Sequence, residues 1–138
     1  MVRTEEIHLR TRGNADTHDL TPAIEKALEG SGLRQGTVTV FTPSSTSAIT
    51  TIEFEPGALD DLRRLLERIA PSQGDYQHNL AWGDGNAHLR AALLGPSLSV
   101  PVVEGRLTLG TWQQILFIDF DVRPRQRRIV VQLLGETG

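Results

Sequence analysis

Two stretches of the chain carry apolar residues at helical spacing. Residues 19–29 place Leu20, Ile24 and Leu28 on one face, with Pro22 in the first turn and Gly30 just past the end. Residues 57–70 repeat the pattern with a leucine-rich face, and Pro71 follows as a stop signal. Each stretch is therefore predicted to be an amphipathic helix with one buried side.

Alternating and β-branched runs predict about seven strands. They cover residues 5–11, 36–42, 49–55, 100–103, 106–109, 112–120 and 128–134. Glu104-Gly105 fits a tight hairpin turn, and Asn86 is placed to cap a short third helix through about Leu94. Because most connections are short, we expect one α+β domain over residues 1–138, an antiparallel sheet or sandwich with about three helices.

The last two strand runs, residues 112–120 and 128–134, are apolar on both faces. Such strands need cover on both sides. We expect that a symmetric oligomer supplies the cover that the helices of one chain do not.

Composition and charge narrow the classes of function. The chain has no cysteine, so thiolate nucleophiles and sulfur-ligated zinc are excluded, and any metal needs His, Asp or Glu ligands. A net charge of -3 argues against an extended nucleic-acid interface. The charged amino terminus and the lack of a long apolar run predict a soluble, cytoplasmic protein without a membrane partner.

The polar run 76–90 is the first candidate site. His78 and His88 flank a Trp-Gly-Asp-Gly turn, residues 82–85, that can bring both rings together with Asp84. Two imidazoles and a carboxylate suit a divalent metal or a general acid/base pair. The competing interpretation is structural, in which a histidine caps a turn or binds a backbone carbonyl. The spacing matches no strong metal motif, so the metal is not specified.

A helix start at Asn86 offers a second candidate, an anion site. Free N–H groups and the helix dipole favour an anion there, and Arg90 one turn further could grip a phosphate. The alternative is an ordinary capped helix with a surface arginine.

Basic and hydroxyl side chains give the third candidate. Arg123, Arg125 and Arg127 alternate and would share one strand face as an anion clamp, with Arg128 on the other face. The alternative is a solvated edge paired with Asp119 and Asp121, which is the better expectation for at least two of these four arginines. The turn containing Ser45 and Thr46 could hold phosphate oxygens, or it could be turn chemistry alone.

The chain also resembles a known family. The signature lies in residues 97–115 and centres on Gly110-Thr111-Trp112-Gln113, with further likeness at Tyr76-Gln77-His78, Asp84-Gly85-Asn86 and His88-Leu89-Arg90. These motifs are similar to those of the YjbQ-like proteins, described as the secondary thiamine-phosphate synthase family. The resemblance covers nearly the whole chain. It implies a β-sandwich with flanking helices, assembled as a homotrimer with a pocket near the subunit interface.

The resemblance also implies an activity. Members are credited with weakly joining a pyrimidine diphosphate to a thiazole phosphate, which releases pyrophosphate and makes them transferases. On this view His88 transfers a proton or binds a metal, Arg90 holds phosphate, and His78, Trp112 and Gln113 occupy matching motif positions. The cofactor is left open, and a divalent cation such as magnesium or zinc could serve. The expected partner is a phosphorylated small molecule.

Two positions depart from the family pattern. Ser45 stands where many members have a histidine, and Glu53 and Phe54 align with a frequent Asn-Glu pair. The alternative function is a non-catalytic anion- or metal-binding trimer with a regulatory or structural role. Phosphoester hydrolysis, by a metal-activated water near His78, Asp84 and His88, is a third possibility.

Overall fold

A computed structural model describes residues 1–80 and 83–138, with the backbone alone for residues 79 and 80. Within these ranges the chain forms eight strands, three α-helices and one 3₁₀ helix. The strands are β1 Val2–Thr11, β2 Asp16–Asp19, β3 Gln35–Phe41, β4 Ser47–Ile52, β5 Ser97–Val103, β6 Arg106–Leu107, β7 Gln114–Asp119 and β8 Arg125–Glu136. The helices are α1 Thr21–Ser31, α2 Pro56–Ile69, α3 Gly85–Leu94 and the 3₁₀ helix Gln77–Leu80.

The strands form two antiparallel sheets. The larger sheet has the order β1-β8-β3-β5-β6, and the smaller has the order β2-β7-β4. All of the described strand pairs are antiparallel, from β1 with β8 to β5 with β6. The predicted α+β class with an antiparallel core and three helices is therefore confirmed.

Strand β7 lies at the centre of the molecule, and its two faces enter different apolar clusters. Ile115 and Phe117 pack with the larger sheet and α1, whereas Leu116, Ile118 and Phe120 pack with α2 and α3. For residues 112–120, the expectation that an oligomer supplies the cover was therefore wrong. For residues 128–134 it stays a prediction, because the face of β8 that carries Leu134 is exposed. The smaller sheet is an inner layer, so strands and helices of the same chain cover both of its faces.

The structure corrects the beginning of the third helix. Asp84, and not Asn86, is the N-cap residue of α3, and Asn86 lies buried in the first turn. At α2 the cap is regular, because the Glu55 carboxylate accepts hydrogen bonds from the N–H groups of Gly57 at 2.6 Å and Ala58 at 2.9 Å.

Strand β2 was not predicted, because its sequence Asp-Thr-His-Asp has no apolar alternation. It forms because the chain reverses just before it. Gly13, Asn14 and Ala15 all have left-handed backbone angles, with φ of 78°, 53° and 67°. The N–H groups of Asn14 and Ala15 donate to the carbonyls of Asp121 and Asp119, which joins the turn to the end of β7.

No helix in the described part of the chain is long and apolar enough to span a membrane.

Candidate functional site

The structure brings His78, Asp84 and His88 together at the surface. The Nε2 atom of His78 lies 2.7 Å from Asp84 Oδ1, and the Nε2 atom of His88 lies 3.3 Å from Asp84 Oδ2. The two imidazole rings meet edge to face, with centroids 4.5 Å apart. The side chains of His78, Asp84 and His88 are 40%, 18% and 33% exposed, so the group is accessible to a ligand.

Local structure explains this convergence. His78 lies in the 3₁₀ helix, Asp84 is the N-cap of α3, and His88 follows four residues later, on the same helix face. An N-cap aspartate usually accepts a hydrogen bond from the first helical turn. Asp84 makes no such side-chain bond, because its carboxylate faces both imidazoles instead. Trp82, the first residue of the predicted turn, lies outside the described residues.

The three side chains have the spacing of metal ligands. One donor atom from each can be chosen so that all lie within 4.8 Å of one another. An ion about 2.1 Å from its ligands holds neighbouring donor atoms about 3.0–3.4 Å apart. The two nitrogen–oxygen distances above are of similar size, although they involve different oxygens of Asp84. Two imidazoles and one carboxylate leave further coordination positions open for water or substrate.

Arg90 is not part of this cluster. It lies two residues beyond His88 on α3 and is buried, with its side chain 7% exposed. Its Nε donates to the Ala70 carbonyl at 2.9 Å and its Nη2 to Glu67 Oε2 at 2.7 Å, while the guanidinium lies over the Phe120 ring. The structure thus shows Arg90 joining α3 to the end of α2, and it does not place the guanidinium beside His88.

Glu67 connects the same region to the segment that leads to His78. Its carboxylate accepts hydrogen bonds from the Ser72 N–H at 3.1 Å and the Ser72 hydroxyl at 2.8 Å, as well as from Arg90. The bonds from Ser72, and then that from Arg90, hold the pKa of Glu67 below its usual range. One carboxylate therefore fixes both α3 and the start of the loop.

Thr46 and Arg125 belong to a second polar cluster, at the end of β7. Arg127 donates to both carboxylate oxygens of Asp119, at 2.7 and 3.0 Å, and to the Thr46 hydroxyl at 2.9 Å. Asp121 accepts from Arg125 Nε and the Thr46 hydroxyl, each at 3.1 Å. The aspartates are buried, whereas the Arg125 side chain is 43% exposed. The expected pairs therefore form, but with their carboxylates inside the protein and not at a fully solvated edge.

Asp121 is held ionised by that network. Burial by itself raises the pKa of the carboxyl, but hydrogen bonds from Arg125, Thr46 and the Arg123 N–H outweigh it. The pKa of Asp121 therefore lies below its usual range. Of the predicted arginine clamp, Arg125 and Arg127 are thus already paired with carboxylates.

The remaining predicted residues lie apart from the histidines. Ser45 is exposed in the turn before β4. Trp112 is 70% exposed, and Gln113 accepts a hydrogen bond from the Gly110 N–H in the loop before β7. No described contact joins Ser45, Trp112 or Gln113 to His78, Asp84 or His88.

Glu67 and Thr11 were missed from sequence. Thr11 donates to Asp119 Oδ2 at 2.6 Å from 108 positions away, and Glu67 is 23 positions from Arg90. Neither residue belongs to a local motif. The only sequence signal is weak: an acidic residue in the last turns of α2, close to a serine that follows a proline stop.

Comparison with known sequences gives a consistent assignment. The family model described as UPF0047 protein YjbQ-like matches residues 5–136. A UPF0047 protein of Methanothermobacter thermautotrophicus is 43% identical over 98% of this chain and 94% of its own length. Another from Archaeoglobus fulgidus is 41% identical over 94% of this chain and 99% of its own.

Solved structures agree with the sequence matches. A YbjQ-like protein of unknown function from Sulfolobus solfataricus superposes with a TM-score of 0.95 at 33% identity, covering 99% of both chains. A hypothetical protein from Aeropyrum pernix gives a TM-score of 0.92 at 34% identity, covering 97% of this chain and 99% of its own.

Proposed function

The chain belongs to the YjbQ-like UPF0047 family, and we propose that it binds a divalent cation at His78, Asp84 and His88 and uses that ion to hold a phosphorylated small molecule. The carrying observation is the convergence of the three donor groups within 4.8 Å. Asp84 supports the proposal further, because its carboxylate faces the imidazoles and does not make the usual N-cap hydrogen bond to the helix backbone.

The donor set indicates which ion to expect. Imidazole nitrogen suits zinc, iron, copper and nickel, whereas magnesium prefers sites made of carboxylates, carbonyls and water. Two histidines and one aspartate therefore favour zinc or a similar transition metal over magnesium. Such an ion polarises a phosphoryl oxygen and stabilises charge on a leaving group.

Metal binding is tested by titrating the purified protein with Co²⁺, whose visible absorption reports nitrogen and oxygen ligation. We expect saturable binding of one ion, and at least tenfold weaker binding after His78→Ala or His88→Ala, because each removes a ligand. His8→Ala is the matched control, because His8 lies exposed on β1 beside Glu6. Equal binding by all three variants would disprove the site.

For the chemistry at this ion, we propose the transferase reaction that the family resemblance implies. Joining a pyrimidine diphosphate to a thiazole phosphate requires cationic stabilisation of departing pyrophosphate, which the ion would supply. The test is to incubate both precursors with the protein and zinc or magnesium, and to measure thiamine phosphate. Product no greater than with His88→Ala would reject the transferase and leave the binding function.

That outcome would favour the second candidate, a non-catalytic trimer that binds an anion or a metal and has a regulatory or structural role. The observation in its favour is that Arg90, Arg125 and Arg127 are each paired with a carboxylate, of Glu67, Asp121 and Asp119, so none of these three guanidiniums is free to stabilise a departing pyrophosphate. Stoichiometric metal without turnover, together with a melting temperature that rises with phosphate only when metal is bound, would support it.

We further propose a homotrimer. Two helices each expose a pair of large apolar side chains one turn apart, Leu65 with Ile69 on α2 and Leu89 with Leu93 on α3. Such exposed apolar surface supports association between copies of the chain. Light scattering measures the assembly directly. A monomer at micromolar concentration would rule it out.

A further inference from the structure

We propose that a cavity beside α1 is a second binding site, which accepts a small molecule with a cationic end, an anionic end and an apolar middle. The cavity measures about 820 Å³ and lies between α1, the β5–β6 turn and the loop before β7. Small-molecule sites commonly measure roughly 300–1,000 Å³. None of its lining residues belongs to the histidine cluster.

The floor of the cavity is apolar. Leu28 and Leu33 are almost fully buried, and Leu107 and Leu109 are half-buried against the same core. All four line the cavity. A flat ring or a short alkyl segment would therefore remove apolar surface from water here.

One wall carries negative charge. Glu25 and Glu29 both line the cavity and lie four residues apart on α1. Like charges at this spacing on a helix repel. Among the described residues neither carboxylate has an ion-pair partner, and a ligand cation would relieve the repulsion.

The lining also carries positive charge, from Arg34 and Arg106. Arg34 donates its N–H to the Glu136 carbonyl and accepts from the Gly105 N–H with its own carbonyl. Its guanidinium lies over Gly105, where a Cβ would come within 3.0 Å of Nη1. Arg106 is the residue after Gly105 and also lines the cavity. In the described structure neither Arg34 nor Arg106 has a carboxylate partner.

Two carboxylates and two guanidiniums that line one cavity without an ion-pair partner in the described structure indicate the ligand class. A molecule with a single charge would compensate one pair and be repelled by the other. A zwitterion with its charges separated by an apolar spacer would compensate both pairs.

The probe is para-aminomethylbenzoate, whose ring separates an ammonium from a carboxylate. Benzylamine and para-toluate, each with one of the two charges, are the matched controls. Heteronuclear NMR should show saturable shifts of the Gly32, Gly105 and Gly110 amides with the zwitterion, and at least fivefold weaker binding of each control. No saturable shift, or equal binding of a single-charge control, would overturn the proposal.

Substitutions of the charged side chains test whether they cause the NMR shifts seen with the probe. The doubles Glu25→Gln/Glu29→Gln and Arg34→Gln/Arg106→Gln should each weaken zwitterion binding at least fivefold, whereas Arg68→Gln on α2 should not. The double variant His78→Ala/His88→Ala should bind the probe as the native chain does, which separates this site from the proposed metal site. If either variant of the lining charges changes the oligomeric state instead, the charges belong to a contact between copies and the proposal fails.

Discussion

Arg90 and Glu67 join α3 to α2 through a 2.7 Å ion pair, although Arg90 lies only two residues from His88. Residues two apart on a helix point to different sides. His88 can therefore face Asp84 at the surface while Arg90 faces the interior. The basic residue of the His-Leu-Arg motif thus supports the scaffold of the site.

Replacing Arg90 should destabilise the protein. Arg90→Met keeps much of the apolar stem but removes the charged hydrogen bond to the buried Ala70 carbonyl, which is worth about 1.5–3 kcal/mol. We expect the free energy of unfolding, measured by urea denaturation, to fall by about that amount. Arg68→Met on α2 is the control, and an equal effect of both substitutions would contradict a structural role for Arg90.

Asp84 should matter for metal binding much more than for stability. Asp84→Asn removes the charge but keeps a good N-cap residue, and the native carboxylate makes no cap bond that could be lost. Metal affinity should fall at least tenfold, while the free energy of unfolding changes by less than about 0.5 kcal/mol. Cobalt titration and urea denaturation of the same sample check both parts. A large loss of stability with unchanged affinity would refute this division of roles.

The histidine cluster was predictable because it is local. His78, Asp84 and His88 lie within eleven residues, and the spacing from Asp84 to His88 is one helical turn. The orientation of Arg90 was not predictable, since it depends on Glu67 and Ala70, which reach it only after α2 packs beside α3. Local spacing therefore identified the histidine cluster, but not the contacts of Arg90 that join α3 to α2.

The fold shows the same division. The amphipathic helices and the alternating strands followed from their patterns, whereas β2 depends on a left-handed turn at Gly13 and on pairing with β7. The pairing of arginines with Asp119 and Asp121 was predicted, but their burial was not. The buried carboxylates accept hydrogen bonds from Thr11 of β1 and from Thr46, which are distant in sequence, so no local pattern could have shown this environment.

Stability should decline in acid partly through Asp121. Its pKa in the folded chain is lowered from an ordinary value of 3.8, so the ionised carboxyl stabilises the fold at pH values above 3.8. This contribution decreases as the pH falls from that value through the lower folded pKa. In Asp121→Asn the contribution is absent, so the stability difference from the native chain should be constant near neutral pH and shrink in acid. A difference that grows in acid would contradict the lowered pKa.

The Thr11 hydroxyl should stabilise the buried Asp119. It donates at 2.6 Å to a carboxylate that is fully buried, and hydrogen bonds to charged groups are worth about 1.5–3 kcal/mol. Thr11→Val keeps the shape and removes the donor, so unfolding should become easier by about that amount. Thr11→Ser retains the hydroxyl and should lose less. If serine and valine cost the same, the hydrogen bond is not the cause.

Gly74 should influence the position of His78 through Tyr76. A Cβ at Gly74 would lie 2.6 Å from the Tyr76 ring, whose hydroxyl donates to the Pro71 carbonyl. Gly74→Ala must therefore displace the ring two residues before His78, at a cost of about 1 kcal/mol typical of overpacking. We expect weaker cobalt binding together with this loss. Gly30→Ala is the matched control. The structure places Gly30 inside α1 and not just past its end as the sequence predicted, a Cβ there meets nothing within 4 Å, and alanine favours a helix by about 0.5 kcal/mol. Unchanged cobalt affinity in Gly74→Ala would show that the Tyr76 contact does not position His78.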